Sequence, residues 1–384
     1  MSIVAAADLS LRRLIADDFR GYDPYDTLCS PLFRLPLLRT SHHVRWAAQQ
    51  TFKRIPVNVR PMLGIQKGRN PVTLALAAQT CAQLARVRPK QYAELHDLAR
   101  RLVTELSASR SSGYSGACWG YDFDWEARHA RIPAFTPTIV ATGIVTNALD
   151  VVHSVFGIEE AFALCEDATK FVMEDLYRTY DDQGGLCWSY SPHDRQVVLN
   201  ATMKGARLCA QVYSATGRED LRDAARASVT FVVGHQRPEG GWPYAIGDER
   251  AWSDNFHTAY VLDCLAEYAK RAQDMTFTDA LERGWKFYRE RYFHDDRIPK
   301  YYDDSLYPID ATACGQSVLT LCRFGDLATA QHVAEWTLKH LARGDGSFAY
   351  RVHRTHVTRT HFARWSTAWI ACSLATLAAA QSQE

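Results

Sequence analysis

The chain has 384 residues, 47% apolar and 23% charged, so it is long enough for one or two domains with sizeable cores and is not a disordered tail or a fibrous sequence. A formal net charge of +1 with dispersed arginines gives no footing for nucleic acid. Met1–Asp17 hold no basic segment followed by a long apolar core, and no uncharged stretch elsewhere reaches membrane-spanning length; a cytoplasmic protein without an integral membrane segment is expected.

In chain order, residues 1–60 show little repetition and are expected as an irregular N-terminal cap, within which Ser41 to Arg54 can supply one helix. From residue 61 to 384 the pattern runs on with no Pro/Ser-rich or charge-block linker. Helices are expected near 71–86, 89–108, 134–155, 158–178, 195–215, 218–236, 256–272, 277–293, 310–324, 327–343 and 363–380. The evidence is apolar residues at three- and four-residue steps, such as Ile139, Val140, Ile144, Val145, Leu149 and Val152. Asp194 and Asp310 precede two of these helices, and Asp279 falls in an early turn of a third. With Ser41–Arg54 as the twelfth helix, the segments form an all-α (α/α)6 toroid of six helical hairpins, the first helix of each pair inside and the second outside.

The hairpins are punctuated by a glycine-aromatic turn: Gly116-Ala117-Cys118-Trp119-Gly120, Gly184-Gly185-Leu186-Cys187-Trp188, Gly240-Gly241-Trp242-Pro243-Tyr244 and Gly344-Asp345-Gly346-Ser347-Phe348. Fainter copies stand at Ile298-Pro299-Lys300-Tyr301-Tyr302 and Gly64-Ile65-Gln66-Lys67-Gly68. The spacing exceeds that of the common solenoid repeats. The ten cysteines lack CxxC or zinc spacing and read as free thiols, mostly buried.

In such a ring the loops entering the inner helices gather around one mouth, so residues far apart in sequence converge there. Those loops carry Trp119, Tyr121, Trp125, Tyr190, His193, Trp242, Tyr301, Arg364 and Trp365. Aromatic faces with interspersed polar groups suit sugar rings and hydroxyls, although each aromatic can also simply wedge helix ends apart. Asn255, His257 and Tyr260 open one helix, the last two on one face. They suit proton abstraction beside a uronic-acid carboxylate, with Asn255 and His257 facing the carboxylate and Tyr260 moving the C5 proton; the outcome is epimerisation or β-elimination. The structural alternative makes Asn255 an N-cap, His257 a hydrogen-bonded core histidine and Tyr260 a packing residue. Arg364 and Arg351 are candidate carboxylate clamps, or partners of Asp122 or Asp124.

Hydrolysis requires two carboxylates, and Asp124 with Asp254 or Asp310 is the pair to consider. A binding protein that leaves its glycan unaltered is the third reading. No phosphate-loop, dinucleotide, nucleophile-elbow or HExxH motif is present, and His42-His43 and His353/His356/His361 lack an acidic partner pattern. No cofactor and no metal are therefore expected, and the oligomeric state is left open.

On Gly21-Tyr22-Asp23-Pro24-Tyr25-Asp26, Lys67-Gly68-Arg69-Asn70-Pro71, Cys118–Trp125, Ser189-Tyr190-Ser191-Pro192, Asp254-Asn255-Phe256-His257-Thr258, Tyr307-Pro308-Ile309-Asp310 and Arg364-Trp365-Ser366, the chain resembles a little-characterised toroid family found with bacterial and archaeal polysaccharide biosynthesis enzymes. More broadly it is similar to the six-hairpin toroids that include glycosidases, sugar epimerases and polysaccharide lyases. The resemblance implies a polysaccharide or lipid-linked oligosaccharide as substrate. Gly240-Gly241-Trp242 is also similar to terpene-cyclase and prenyltransferase toroids, but no DxDD motif stands in this sequence.

Overall fold

The computed structural model describes residues 2–128 and 130–383; Met1, His129 and Glu384 lie outside the described residues. In chain order the helices are α1 (Ile3–Ala16), α2 (Pro36–Thr40), α3 (His42–Phe52), α4 (Pro71–Val87), α5 (Tyr92–Ala108), α6 (Ile139–Phe156) and α7 (Glu159–Lys170). They continue as α8 (Leu199–Thr216), α9 (Glu219–Gly234), α10 (Asn255–Ala272), α11 (Thr278–Arg291), α12 (Ala311–Arg323), α13 (Leu327–Leu341) and α14 (Trp369–Gln381). Helices α4, α6, α8, α10, α12 and α14 pack side by side into a closed inner ring, with α14 returning to α4. Around it α5, α7, α9, α11 and α13 each cover the inner helix that precedes them. This is an (α/α)6 toroid.

The two rings follow from the sequence. Nearly every side chain of α4 is buried, as an inner helix contacted on all sides requires. By contrast α5 buries only Leu95, Leu98, Ala99, Leu102, Val103 and Leu106, the single apolar stripe of an outer helix. Each leucine so buried contributes about 1.5–3 kcal/mol. Helix α6 is long and apolar enough to cross a membrane by length and composition alone, and 67% of it is buried inside the ring.

The sixth hairpin closes differently from the expectation. The 41–54 segment is helical as α3, but α3 packs on the loops over the mouth; the outer partner of α14 is α1. The physical reason lies in the buried faces: α1 buries Ala6, Ala7, Leu11 and Leu14, whereas α3 buries only Arg45 and Gln49. Some helix ends also moved. Val197–Val198 pairs as a short strand with Ala245–Ile246, so α8 begins at Leu199 and Asp194 does not cap it. Instead the Asp194 carboxylate accepts from Ser191 Oγ and the Gln196 amide within its own turn. Asp310 does cap α12, accepting from the amides of Thr312 and Ala313.

The glycine-aromatic turns straddle neighbouring inner helices. The backbone N–H groups of Trp119, Trp188 and Phe348 donate to the hydroxyls of Thr142, Thr202 and Thr367 at the start of the following inner helix (3.1, 3.0 and 3.2 Å). Two residues beyond Trp188, Trp242 and Phe348, the carbonyls of Tyr190, Tyr244 and Tyr350 accept from Ile139, Leu199 and Ala311, the first amides of the inner helix before; Tyr301 serves Asn255 in the same way. These bonds satisfy helix-end donors that would otherwise be orphaned and fix the loops at the rim. The turns reverse sharply where Gly184 and Gly344 hold φ of +76° and +79°.

Candidate active site

The N-terminal ends of the inner helices surround a cavity of about 350 Å³. Their dipoles make this end of the ring favourable for anions. Tyr121, Tyr190, Tyr244 and Tyr301, delivered by the turns, wall it together with Trp125, Trp365 and Phe256. Tyr244 stacks on Trp252 at 5.1 Å, and Trp125 meets Tyr190 at 5.7 Å. Burial pushes the phenols of Tyr190, Tyr260 and Tyr301 well above the ordinary tyrosine value, so they remain hydroxyl donors.

Helix α3 roofs the cavity. Trp46, Gln50 and Lys53, at helical spacing, line it. An adjoining face of α3 is tied down by Arg45, whose guanidinium bonds Glu126 at 2.6 Å and Asp124 at 2.8 Å. Gln49 Nε2 donates to the Tyr25 and Asp124 carbonyls, its Oε1 accepts from the Glu126 amide, and His42 Nδ1 meets Glu126 at 2.8 Å. His42 therefore has an acidic partner that the sequence pattern does not reveal.

At the wall, Asp254 is 1% exposed and caps α10, one oxygen accepting from the His257 amide at 3.0 Å. Its other oxygen accepts from His257 Nδ1 at 2.6 Å and from Trp252 Nε1 at 3.3 Å. A carboxylate only accepts, so Nδ1 carries the proton and Nε2 is left as the basic nitrogen of an imidazole that lines the cavity. Tyr260 lies one turn on, its ring 6.0 Å from that of His257, and lines the same cavity.

Two arginines complete the wall. Arg351 Nε donates to Asp310 at 2.6 Å, and its guanidinium faces the Tyr301 ring at 5.1 Å. Arg364 Nε donates to Asp23 at 2.7 Å, its guanidinium 4.5 Å from the Tyr121 ring centroid and 4.7 Å from that of Trp365. Burial opposes the charge of Arg364, yet Asp23 outweighs it and holds the pKa above the ordinary value. Arg364 and Trp365 project from a π-helical turn, Arg364–Ala368, that leads into α14.

Of the residues singled out from sequence, Asp254, His257, Tyr260, Tyr121, Trp125, Tyr190, Tyr301, Arg351, Arg364 and Trp365 line this cavity. The others lie elsewhere. Trp119 and Trp242 are core residues, their indoles donating to the carbonyls of Leu106 and Val232 between the rings. Asn255 is not the cap; it is fully buried, and its carbonyl accepts from Tyr288 and Ser317 hydroxyls behind the wall. Asp310 stands behind Arg351, and Asp124 is held by Arg45 and by the Ala134 amide. His193 is exposed on its own turn. Arg351 and Arg364 pair with Asp310 and Asp23, not with Asp122 or Asp124. Sequence reasoning missed Tyr25, Trp46, Gln50, Lys53 and Arg250; the signal for three of them is the Trp46, Gln50, Lys53 spacing on a helix with no apolar stripe. Among the described residues no three His, Cys, Asp or Glu side chains gather as metal ligands.

No protein-family model and no curated protein matches the chain. Solved structures do match in fold. An unsaturated glucuronyl hydrolase specific for heparin aligns with a TM-score of 0.65 over 100% of this chain and 97% of its own, at 12% identity. A GH76 α-mannanase from Bacteroides thetaiotaomicron gives 0.63 over 83% and 88%, and a cellobiose 2-epimerase from Bacillus thermoamylovorans 0.62 over 82% and 89%, each at 10% identity. All are (α/α)6 toroids, and at such identities the likeness is one of fold.

Proposed function

We propose that the mouth cavity binds an acidic sugar residue of a polysaccharide or oligosaccharide and moves the proton at C5 of a uronic acid, as an epimerase or lyase. The observation that carries this reading is the Asp254–His257 dyad opening onto an aromatic cavity flanked by Arg351 and Arg364. His257 Nε2 takes the C5 proton, and the electron pair moves into the carboxylate, where an arginine offsets the charge. The Tyr260 hydroxyl is the donor, since burial keeps it protonated. In elimination the C4–O bond breaks and the leaving oxygen receives the Tyr260 proton; in epimerisation that proton returns to C5 from the other face. Aromatic walls suit pyranose faces, and three solved toroids of the same fold carry sugar-processing names.

Hydrolysis draws less support, because Asp124 and Asp310 are already bound to Arg45 and Arg351 and only Asp254 of the three acids lines the cavity. The reading includes the cytoplasmic location expected from the sequence. To test it, uronate-containing oligosaccharides are incubated with the protein in D2O. Ultraviolet absorbance of an unsaturated uronate or deuterium at C5 is expected, reduced about 10²–10⁴-fold in Tyr260→Phe and His257→Gln. New reducing ends without either signal, or unchanged turnover in both variants, rejects the assignment.

A further inference from the structure

The other end of the ring holds a second cavity, about 480 Å³, between the C-terminal halves of the inner helices. Tyr260, Ile144 and Trp369 line both cavities and separate them. Six basic side chains but three acidic ones line the second, so its charge is not balanced from within. The acids are engaged: Arg271 bonds Asp150 at 2.7 Å and Glu267 at 2.8 Å, and Arg323 bonds Glu267 at 2.6 Å with Asp263 3.6 Å away.

Two deeply buried basic side chains make no close ion pair with those acids, although Asp263 acts on both and Asp150 on Arg207 at longer range. Lys204 is 1% exposed; its ammonium lies 3.5 Å from the Tyr260 ring centroid and has no close carboxylate partner among the described residues. Arg207, one turn along α8 and 6% exposed, donates Nη2 to the Gly143 carbonyl at 2.6 Å and also lacks a close carboxylate among the described residues. Their charge does not serve a helix end, because both lie more than two turns before Thr216 and the dipole acts within the last turn. The α6 backbone comes so close at Gly143 that a Cβ there would sit 2.5 Å from Lys204 Cβ. Buried cations are costly without an anion, and burial pushes the Lys204 pKa down to about 7. Close by, Gln211 Oε1 is buried and accepts no hydrogen bond.

We propose that this second cavity is a binding site for a small polyhydroxylated anion of the sugar-phosphate class. Its phosphate pairs with Lys204 and Arg207, and its hydroxyls bond amides such as Gln211 and Gln316. Exposed Arg86 and Lys270 at the rim draw the anion in. The assignment stands independently of the chemistry at the mouth.

Isothermal titration calorimetry of the full chain with glucose 6-phosphate and with inorganic phosphate tests it. One saturable site is expected, tighter for the sugar phosphate, and weakened at least about tenfold in Lys204→Met and in Arg207→Met because each loses a charge-assisted bond. Arg351→Gln, at the mouth, leaves it unchanged. Arg207→Lys keeps the charge and retains most of the binding, which holds the test open if Lys204→Met does not fold. No binding, or binding lost in Arg351→Gln but not in the α8 variants, overturns the proposal. Equal affinity for inorganic phosphate removes its hydroxyl half.

Discussion

Asp254 carries two functions on two oxygens, and they separate by substitution. One oxygen caps α10 through the His257 amide and the other orients the His257 ring. In Asp254→Asn the amide oxygen still accepts at the cap, but the amide nitrogen cannot accept from Nδ1–H, so the imidazole loses its fixed tautomer. Turnover should fall about 10²–10⁴-fold while the melting temperature moves little. Asp254→Ala should lose the same turnover and about 1 kcal/mol of stability besides. Melting curves and turnover rates for both variants decide the matter. A large stability loss in the Asn variant would show that the oxygens are not divided in this way. The sequence reading names Asn255 as the cap and passes over Asp254, although both are good cap formers on consecutive positions. The choice rests on where the chain leaves the preceding loop, which is set by the Tyr301 carbonyl bonding the Asn255 amide from another repeat. For the same reason the turns were legible as repeats while their aromatics were not. Local spacing marks Trp119 and Tyr121 alike, but only the packing of α5 sends the Trp119 indole into the core and leaves Tyr121 at the cavity.

Among the elements, α3 and the α10–α12 contact make opposite demands on charge. Helix α3 buries no apolar stripe and is held over the cavity by polar bonds from Arg45 and Gln49. Arg45→Met should leave the buried Glu126 carboxylate with only His42 and the more distant Arg131, at a cost of about 2 kcal/mol, loosen the roof and raise KM more than it lowers kcat. Steady-state kinetics on an oligosaccharide substrate reads that split; an unchanged KM would mean that α3 does not hold substrate. Between α10 and α12, Glu267 is pressed by burial toward its neutral form, but Arg323 and Arg271 outweigh this and hold its pKa down at about 2, from an ordinary 4.5. A depressed carboxylate contributes stability that is fully present above pH 4.5 and is lost as the pH falls toward 2. The contribution is of the order of 3 kcal/mol at neutral pH. Glu267→Gln should therefore melt below wild type at pH 7, and the two should converge between pH 4.5 and pH 2; parallel curves would reject the ion pair as the cause. The inner-outer alternation of these helices is readable in part from periodicity, since α4, rich in small and apolar residues with only scattered Thr and Gln, and a striped α5 have different buried faces. The role of α3 was not. Its polar face matches no other local pattern, and its partners Asp124 and Glu126 are far along the chain.

For the whole molecule, the step that completes the toroid joins its two ends. Helix α1 packs on α14, so residues 3–16 must find residues 369–381 across the full length of the chain. No local signal announces such a pairing, which is why the nearer 41–54 segment looked like the natural twelfth helix from sequence. Its energetic weight is concentrated in Ala6, Ala7, Leu11 and Leu14, all at most 3% exposed. The 344–346 turn reinforces the contact, since a Cβ at Gly346 would approach the Leu9 carbonyl to 2.5 Å and its φ is +84°. If α1 is an integral stave of the ring, Leu11→Ala should cost about 2–5 kcal/mol, as at any sealed core position. Leu98→Ala on α5, a buried leucine on an outer helix encoded next to its partner, is the matched control. Equal losses in equilibrium unfolding are expected for the two. Their folding rates should part: the long-range contact forms late, so Leu11→Ala should mainly speed unfolding, whereas Leu98→Ala in a local hairpin should also slow folding. A negligible cost at Leu11, with full loss at Leu98, would mean that the ring stands without α1 and that the N-terminal helix is an attachment to an already closed structure.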